Sequence, residues 1–310
     1  MLETVRYTAG RQAEWDALVE RSKNGTFLMK RGYMDYHADR FEDCSLMFYK
    51  KKRLHAVLPG NVSDGVFYSH QGLTYGGLVI DERCTMAEVL EMFGAMNEWL
   101  KGMGIVKVVY KPVPHIYHRL PAEEDLYALF RNGARLVARG VSSSISLERR
   151  LKWRQNRRTA LNKANSEGVT VECSEDLECF WSILESNLKK THGVRPVHSV
   201  EEIRLLKSRF PNNIILYIAR NKHGVAVAGV LLYITENVIH SQYISATDEG
   251  KEIGAVDAIM QEVMRMKKRY LDFGISTEDG GKYLNESLIF QKEGFGGRAI
   301  CYDTYEYTIP

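Results

Sequence analysis

The stretch YLDFGISTEDGGKYLNESLIFQKEGFGGRAICYDTY, Tyr270 to Tyr305, sets the fold of this 310-residue chain. Tyr270 to Ile275 is apolar and β-prone, and Thr277 to Gly281 interrupts it with turn residues. Leu284, Leu288 and the pair Gln291/Lys292 follow at helical spacing, and the glycines from Gly294 to Gly297 end that helix before a closing strand. The amphipathic run Ala255 to Lys268 predicts a helix feeding into Tyr270. Strand, helix, strand, helix, strand makes an α/β unit, and ligands of such units sit at the carboxyl ends of the strands.

Upstream of this stretch, Ile214 to Ala219, Val225 to Tyr233 and Val238 to Ala246 read as strands joined by short polar turns. Two helices precede them: Asp176 to Leu188, with Ser174 as candidate cap, and Ser199 to Phe210, with Glu201 and Glu202 in its first turn. The first half follows a similar order. Gln12 to Ser22 predicts a helix and a second short one runs through Tyr33 and Tyr36. Strands follow at Ser45 to Lys50, Leu54 to Leu58, Val66 to Ser69 and Leu73 to Ile80. Thr85 to Lys101 is an amphipathic helix, Ile105 to Tyr110 a strand, the segment from Pro121 through Leu129 a helix, and Val137 to Leu147 a strand. The repeated order predicts a tandem duplication of one α+β domain, with a division between residues 147 and 148.

Composition narrows the function classes. A net charge of +3 with 26% charged residues lacks the basic footprint of a nucleic-acid-binding chain. The start, MLETVRYTAG, shows no secretory pattern. The longest apolar run, Val225 to Ile234, is ten residues, half of the roughly 20 that span a bilayer. Five cysteines without a CxxC pair point to a reducing, cytoplasmic setting. His115 and His118 have metal-ligand spacing, but Pro112 and Pro114 make their segment a loop without a third ligand nearby, so no metal is expected.

Three regions carry possible chemistry. Residues 149–163 hold seven basic side chains in fifteen, Arg157 and Arg158 among them. That is either a solvated face or a phosphate-facing helix. The turn from Asp248 to Ala255, with Lys251 and Gly254, is either an ordinary strand-to-helix connection or an anion site at a helix N-terminus. The strand Val238 to Ala246 is interrupted by His240, Gln242, Tyr243 and Ser245, and buried polar groups need partners. Those residues satisfy a core or line a cleft with Asp272, Ser276, Thr277 and Glu278. Glu278 and Asp272 are candidate general bases, because an attacking amine must be deprotonated. Lys292 could hold an oxyanion or a phosphate; the plain alternative is an exposed helix lysine.

Taken in order, Arg157-Arg158 with Lys163-Ala164, His192 to His198, Glu201-Glu202-Ile203, Phe210-Pro211, His240 to Tyr243, Leu271 to Gly274, and Lys292 with Phe295-Gly296 resemble the tandem-domain Fem aminoacyltransferases of the GNAT acyltransferase superfamily. The likeness covers roughly residues 148–310; over 1–147 only Gly25-Thr26-Phe27 and Tyr75-Gly76-Gly77 look alike. The resemblance implies two GNAT-like domains, 1–147 and 148–310, each a mixed sheet flanked by helices, with the cleft in the second. It implies transfer of an acetyl or aminoacyl group from acyl-CoA or aminoacyl-tRNA to an amine or hydroxyl of a cell-envelope precursor, sugar or sugar nucleotide. The candidate catalytic residues are Lys292, which in the resemblance matches a charge-stabilising lysine, with Glu278, Asp272 and Tyr243 read from the strand ends. The binding set is Arg157, Arg158, His240, Gln242, Ser245, Lys251, Gly254 and Ser276. Two positions depart from it: Phe290 stands where acetyltransferases often place a tyrosine, and Gln291-Lys292 replaces the Fem Phe-Lys pair. An inactive GNAT-like ligand-binding module is the alternative.

Overall fold

The structure, a computed structural model, describes residues 2–310 apart from the side chains of residues 191 and 192. His192, part of the resemblance above, thus has its side chain outside the described residues. The chain forms two compact units. The first comprises Met1–Val141, Thr277–Tyr283 and Cys301–Pro310, and the second Ser142–Ser276 and Leu284–Ile300.

In the first unit, Leu2–Arg6, Leu46–Lys50, Arg53–Leu58 and Val79–Ile80 form an antiparallel sheet. A second run of strands contains one parallel pair, Val66–Tyr68 against Lys107–Tyr110. The helix Met86–Gly102 opens with a capping box between Thr85 and Glu88, which satisfies two amides that a helix start leaves unpaired. It buries Val89, Met92, Phe93, Met96 and Leu100 with Phe48, Leu58, Phe67 and Val108. The expected strand from Leu73 to Ile80 is extended only at Val79–Ile80. The Tyr75-Gly76-Gly77 turn folds back instead, with Gly76 N–H on the Lys111 carbonyl and Leu78 N–H on the Tyr110 hydroxyl.

In the second unit the strands run in the order Thr170–Ser174, Ile214–Arg220, Ala226–Ile234, Val238–Ala246, Tyr270–Ile275 and then the 142–146 part of Arg135–Ser146. Every neighbouring pair is antiparallel except Val238–Ala246 with Tyr270–Ile275, which is parallel. The helix Ala255–Val263 supplies the crossover between those two strands, as parallel pairing requires. Its Ile259, Met260 and Val263 pack with Val230, Leu232, Ile239 and Leu271. It stops five residues before the expected Lys268, tightening into turns as Arg265 N–H bonds Glu262 O. The helix Leu177–His192 is capped by Asp176 rather than Ser174. Asp176 accepts from Cys179 N–H, while the Ser174 hydroxyl accepts from Asp176 N–H. Among the described residues no helix is long and apolar enough to cross a membrane.

Candidate functional site

The parallel pairing of Val238–Ala246 with Tyr270–Ile275 lasts three rungs, Val238↔Tyr270, Ile239↔Leu271 and His240↔Asp272. Two irregularities flank the last rung. Opposite Ala226–Ile234 the register shifts so that Ser241 faces Leu232 and Tyr243 faces Leu231, leaving Gln242 as the extra residue. Opposite Arg135–Ser146 the register shifts between Asp272, which faces Ser144, and Ile275, which faces Ser142. Bulges of this kind bend a strand and re-aim its side chains. The two strands therefore part just beyond His240 and Asp272.

The side chains of that last rung are bonded to each other. His240 Nδ1 lies 2.9 Å from Asp272 Oδ2, and the Ser142 hydroxyl donates to Asp272 Oδ1 at 2.5 Å. Asp272 is fully buried, while the His240 side chain keeps 14% of its surface exposed. Gly274, at φ +74°, occupies the bulge. A Cβ built there would lie 3.3 Å from His240 Cε1 and 3.8 Å from Nε2, so the ring edge rests on the glycine.

Lys292 is 9% exposed, which excludes the plain alternative of a surface lysine. Its ammonium donates to the carbonyls of Gly274 and Ile275, both at 2.8 Å. Burial pushes it down to about 8, and the Asp272 charge opposes that shift. An ammonium has three donors, and two are used here. The Ser276 hydroxyl, one residue further on, is buried and has no hydrogen-bond partner among the described residues.

Tyr243 belongs to a second cluster. Its hydroxyl lies 2.7 Å from His198 Nδ1, its ring meets Trp181 edge to face at 5.4 Å, and burial raises its pKa. Ser245 is buried and donates to Ile183 O on the helix Leu177–His192. Glu278 is exposed on the two-residue strand Thr277–Glu278 of the first unit.

The basic run divides in two. Arg157 reaches Asp257 at 3.4 Å and Gln291 O at 3.3 Å, and its guanidinium lies 4.3 Å over the Phe295 ring. Burial lifts Asp257 to about 6 even against this cation, so Arg157 ties the helix Gln155–Ser166 to the helices beside it. Arg158 is exposed, and with Arg150 and Lys152 it rims a cleft of about 440 Å³ floored by Trp153, Met264 and Phe295.

A coenzyme A pyrophosphate in the loop from Asp248 to Ala255 would need free backbone amides there. Asp248–Glu252 is a short helix whose amides are spent internally: Gly250 N–H on Thr247 Oγ1, Lys251 N–H on Thr247 O, Ile253 N–H on Glu249 O. A Cβ at Gly254 would lie 2.2 Å from the carbonyl oxygen of Ala160, so an acceptor, rather than open space, faces that turn. Lys251 is bonded to Asn187. The Gly250, Lys251 and Ile253 amides are therefore not free for a pyrophosphate.

For metal binding, one group of three ligand types lies together in the first unit: His55, Cys84 and Glu88, with their ligand atoms within 4.8 Å of one another. Glu88 already serves the Thr85 capping box and the Lys50 ammonium, and burial pushes the Cys84 thiol up to about 12. Those three residues were not singled out from the sequence, where they are 33 positions apart at the extremes.

Sequence reasoning missed Ser142. The three consecutive serines Ser142, Ser143 and Ser144 inside a strand were the available signal. It assembled His240, Asp272, Ser276 and Lys292 into one region but did not pair His240 with Asp272.

No family model matches the chain, and no curated protein matches it. Solved structures do. FemX superposes with a TM-score of 0.71 at 11% identity, over 99% of this chain and 97% of that one. L-PGS from Bacillus licheniformis gives 0.62 at 13% identity, over 95% and 91%. A tandem GNAT protein from the clavulanic acid biosynthesis pathway, solved without AcCoA, gives 0.53 at 11% identity, over 100% and 99%. With its parallel pair splayed between two bulges inside an otherwise antiparallel sheet, the chain has the α+β fold of the tandem GNAT-like acyltransferases.

Proposed function

We propose that this chain is an acyltransferase that moves an aminoacyl group from aminoacyl-tRNA to an amine or hydroxyl of a cell-envelope precursor, sugar or sugar nucleotide. The observation that carries this reading is Lys292. Its ammonium is fixed on the Gly274 and Ile275 carbonyls, where the parallel strands part, and one of its three N–H donors is left for an incoming oxygen. A fixed positive charge at a place where a carbonyl oxygen gains charge lowers the barrier without reorganisation. Acetyl or another acyl group from acyl-CoA is the second donor. It is disfavoured because the amides of Gly250, Lys251 and Ile253 are already bonded. Ser276 and Gln242 sit beside the splay as candidate substrate contacts. Arg158 at the rim of the basic cleft is a candidate phosphate contact. Tyr243 is a candidate proton donor, and Glu278, exposed on the strand Thr277–Glu278, is a candidate general base.

The test is a thermal-shift panel of acetyl-CoA, coenzyme A, UDP-N-acetylglucosamine and aminoacyl-tRNA, followed by label transfer with whichever donor binds. A ligand at 100 times its dissociation constant adds about 2.7 kcal/mol of stability. Stabilisation by aminoacyl-tRNA and transfer of its label are expected. A chain that binds a donor and never passes the label on would be the inactive binding module instead.

A further inference from the structure

We infer that His240 is the base that takes the proton from the acceptor nucleophile, with Asp272 and Ser142 as the residues that position it. This rests on the acyl-transfer function proposed above. Asp272 was the sequence-based candidate for the base, but it is fully buried and both its oxygens are engaged, one by Ser142 at 2.5 Å and one by His240 Nδ1 at 2.9 Å. A carboxylate at Nδ1 accepts the proton there and so leaves Nε2 as the basic nitrogen. The His240 ring is the one partly exposed member of the three, at the rung where the strands separate. Its Cε1–Nε2 edge rests on Gly274, and the carbonyl of that same glycine anchors Lys292. Base and ammonium thus converge on one residue of the bulge, as a transition state that sheds a proton and gains an oxyanion needs.

In the step that follows, the nucleophile's proton passes to His240 Nε2 as its nitrogen or oxygen bonds to the acyl carbon. The carbonyl electron pair moves onto oxygen, facing Lys292. Collapse breaks the ester C–O bond to the tRNA ribose, and the departing oxygen takes the proton back from Nε2. No further reactant is consumed. The charged group bonded to the ring is Asp272, which Ser142 also holds; Lys292 lies on the Gly274 and Ile275 carbonyls, and Tyr243 belongs to the His198 cluster.

The experiment uses the full chain and tRNA charged with labelled amino acids. Glucosamine, UDP-N-acetylglucosamine and phosphatidylglycerol vesicles serve as acceptors. For His240→Gln, kcat is expected to fall about 100- to 10,000-fold with KM little changed. Asp272→Asn and Ser142→Ala should retain the fold and lower kcat, with Asp272→Asn the more severe. Histidine ¹⁵N spectra of the wild type should show neutral His240 protonated at Nδ1, and Asp272→Asn should shift that tautomer. If the wild type transfers label and His240→Gln does so within about threefold of it, the base lies elsewhere and the acyl-transfer function stands. If the wild type transfers nothing to any acceptor, that function fails and the base assignment with it. Should His240→Gln not fold, an Nε2–H tautomer in the wild type overturns the assignment, and an Nδ1–H tautomer supports it.

Discussion

Among the described pairings each unit holds one parallel strand pair, and the two pairs have contrasting contents. In the first unit the rungs are Val66↔Lys107, Phe67↔Val108 and Tyr68↔Val109, and Phe67 and Val108 are fully buried in its core. The pairing is extended by Ser69 N–H on Val109 O, and Lys111 N–H then bonds the Ser69 hydroxyl, so the space beyond the pair is closed by hydrogen bonds and the returning 70–78 segment. In the second unit the last rung is His240↔Asp272, two bulges follow, and the strands part. Each unit also places a lysine there that donates to a main-chain carbonyl, the half-buried Lys111 to Leu73 O and the buried Lys292 to Gly274 O. The first unit's pair carries mainly apolar side chains, and the second unit's ends in a titratable pair. Chemistry belongs where polar groups have displaced core residues, because only there is the burial cost left without a packing return.

The comparison breaks most visibly at Phe67. As a core side chain, Phe67→Ala should cost about 3–5 kcal/mol of stability by urea denaturation, with turnover per folded molecule unchanged. A variant that stays stable and loses turnover would make the first pair functional too. Lys292→Met should remove about 2.7–4 kcal/mol of transition-state stabilisation, read as a fall of ~100–1000-fold in kcat; a rise in KM alone would make the lysine a binding residue.

A smaller effect separates the two lysines by pH. Burial lowers both Lys111 and Lys292 from 10.5 to about 8. The unfolded chain keeps those protons up to about pH 10.5, while the folded chain releases them near 8. Over that window the unfolded state binds more protons, so stability rises with pH. Below about pH 8 both states are protonated and the burial cost is constant. Lys292→Met should flatten part of the rise in denaturation midpoints between these pH values, and adding Lys111→Met should flatten more. An unchanged slope in both variants would mean that neither ammonium is desolvated.

The smallest effect divides the basic run. Arg158→Ala should change stability by no more than about 0.5 kcal/mol and weaken a phosphate-bearing ligand. Arg157→Ala should instead destabilise, because it strands the buried Asp257. Equal stabilities for the two variants would return both arginines to the solvated face.

Much of the second unit was legible because its elements advertise their period: Val238 to Ala246 and Tyr270 to Ile275 matched the observed strands, and Ser199 with Glu202 marked a helix start that the capping box confirms. The 70–78 segment was not legible, since its turn depends on Tyr110 and Lys111, some 35 residues away, for hydrogen-bond partners. Arg149 to Arg154 looked continuous with a helix that begins only at Gln155, because charge carries no periodic signal. At the candidate site, residue types were readable and pairings were not. A histidine and an aspartate 32 positions apart become neighbours only through strand register, which a bulge resets.

The division of the last strand has a consequence for the order of synthesis. Cys301–Pro310 belongs to the first unit, where Tyr305 to Thr308 pair with Lys107–Tyr110 and Tyr307 is buried with its hydroxyl on Asn97. A chain emerging from the ribosome therefore holds the first unit short of a strand until residues 301–310 have been made, well after Met1–Val141 of that unit. During that interval Lys107–Tyr110 presents an unpaired β edge, the kind of surface on which nascent chains associate with one another.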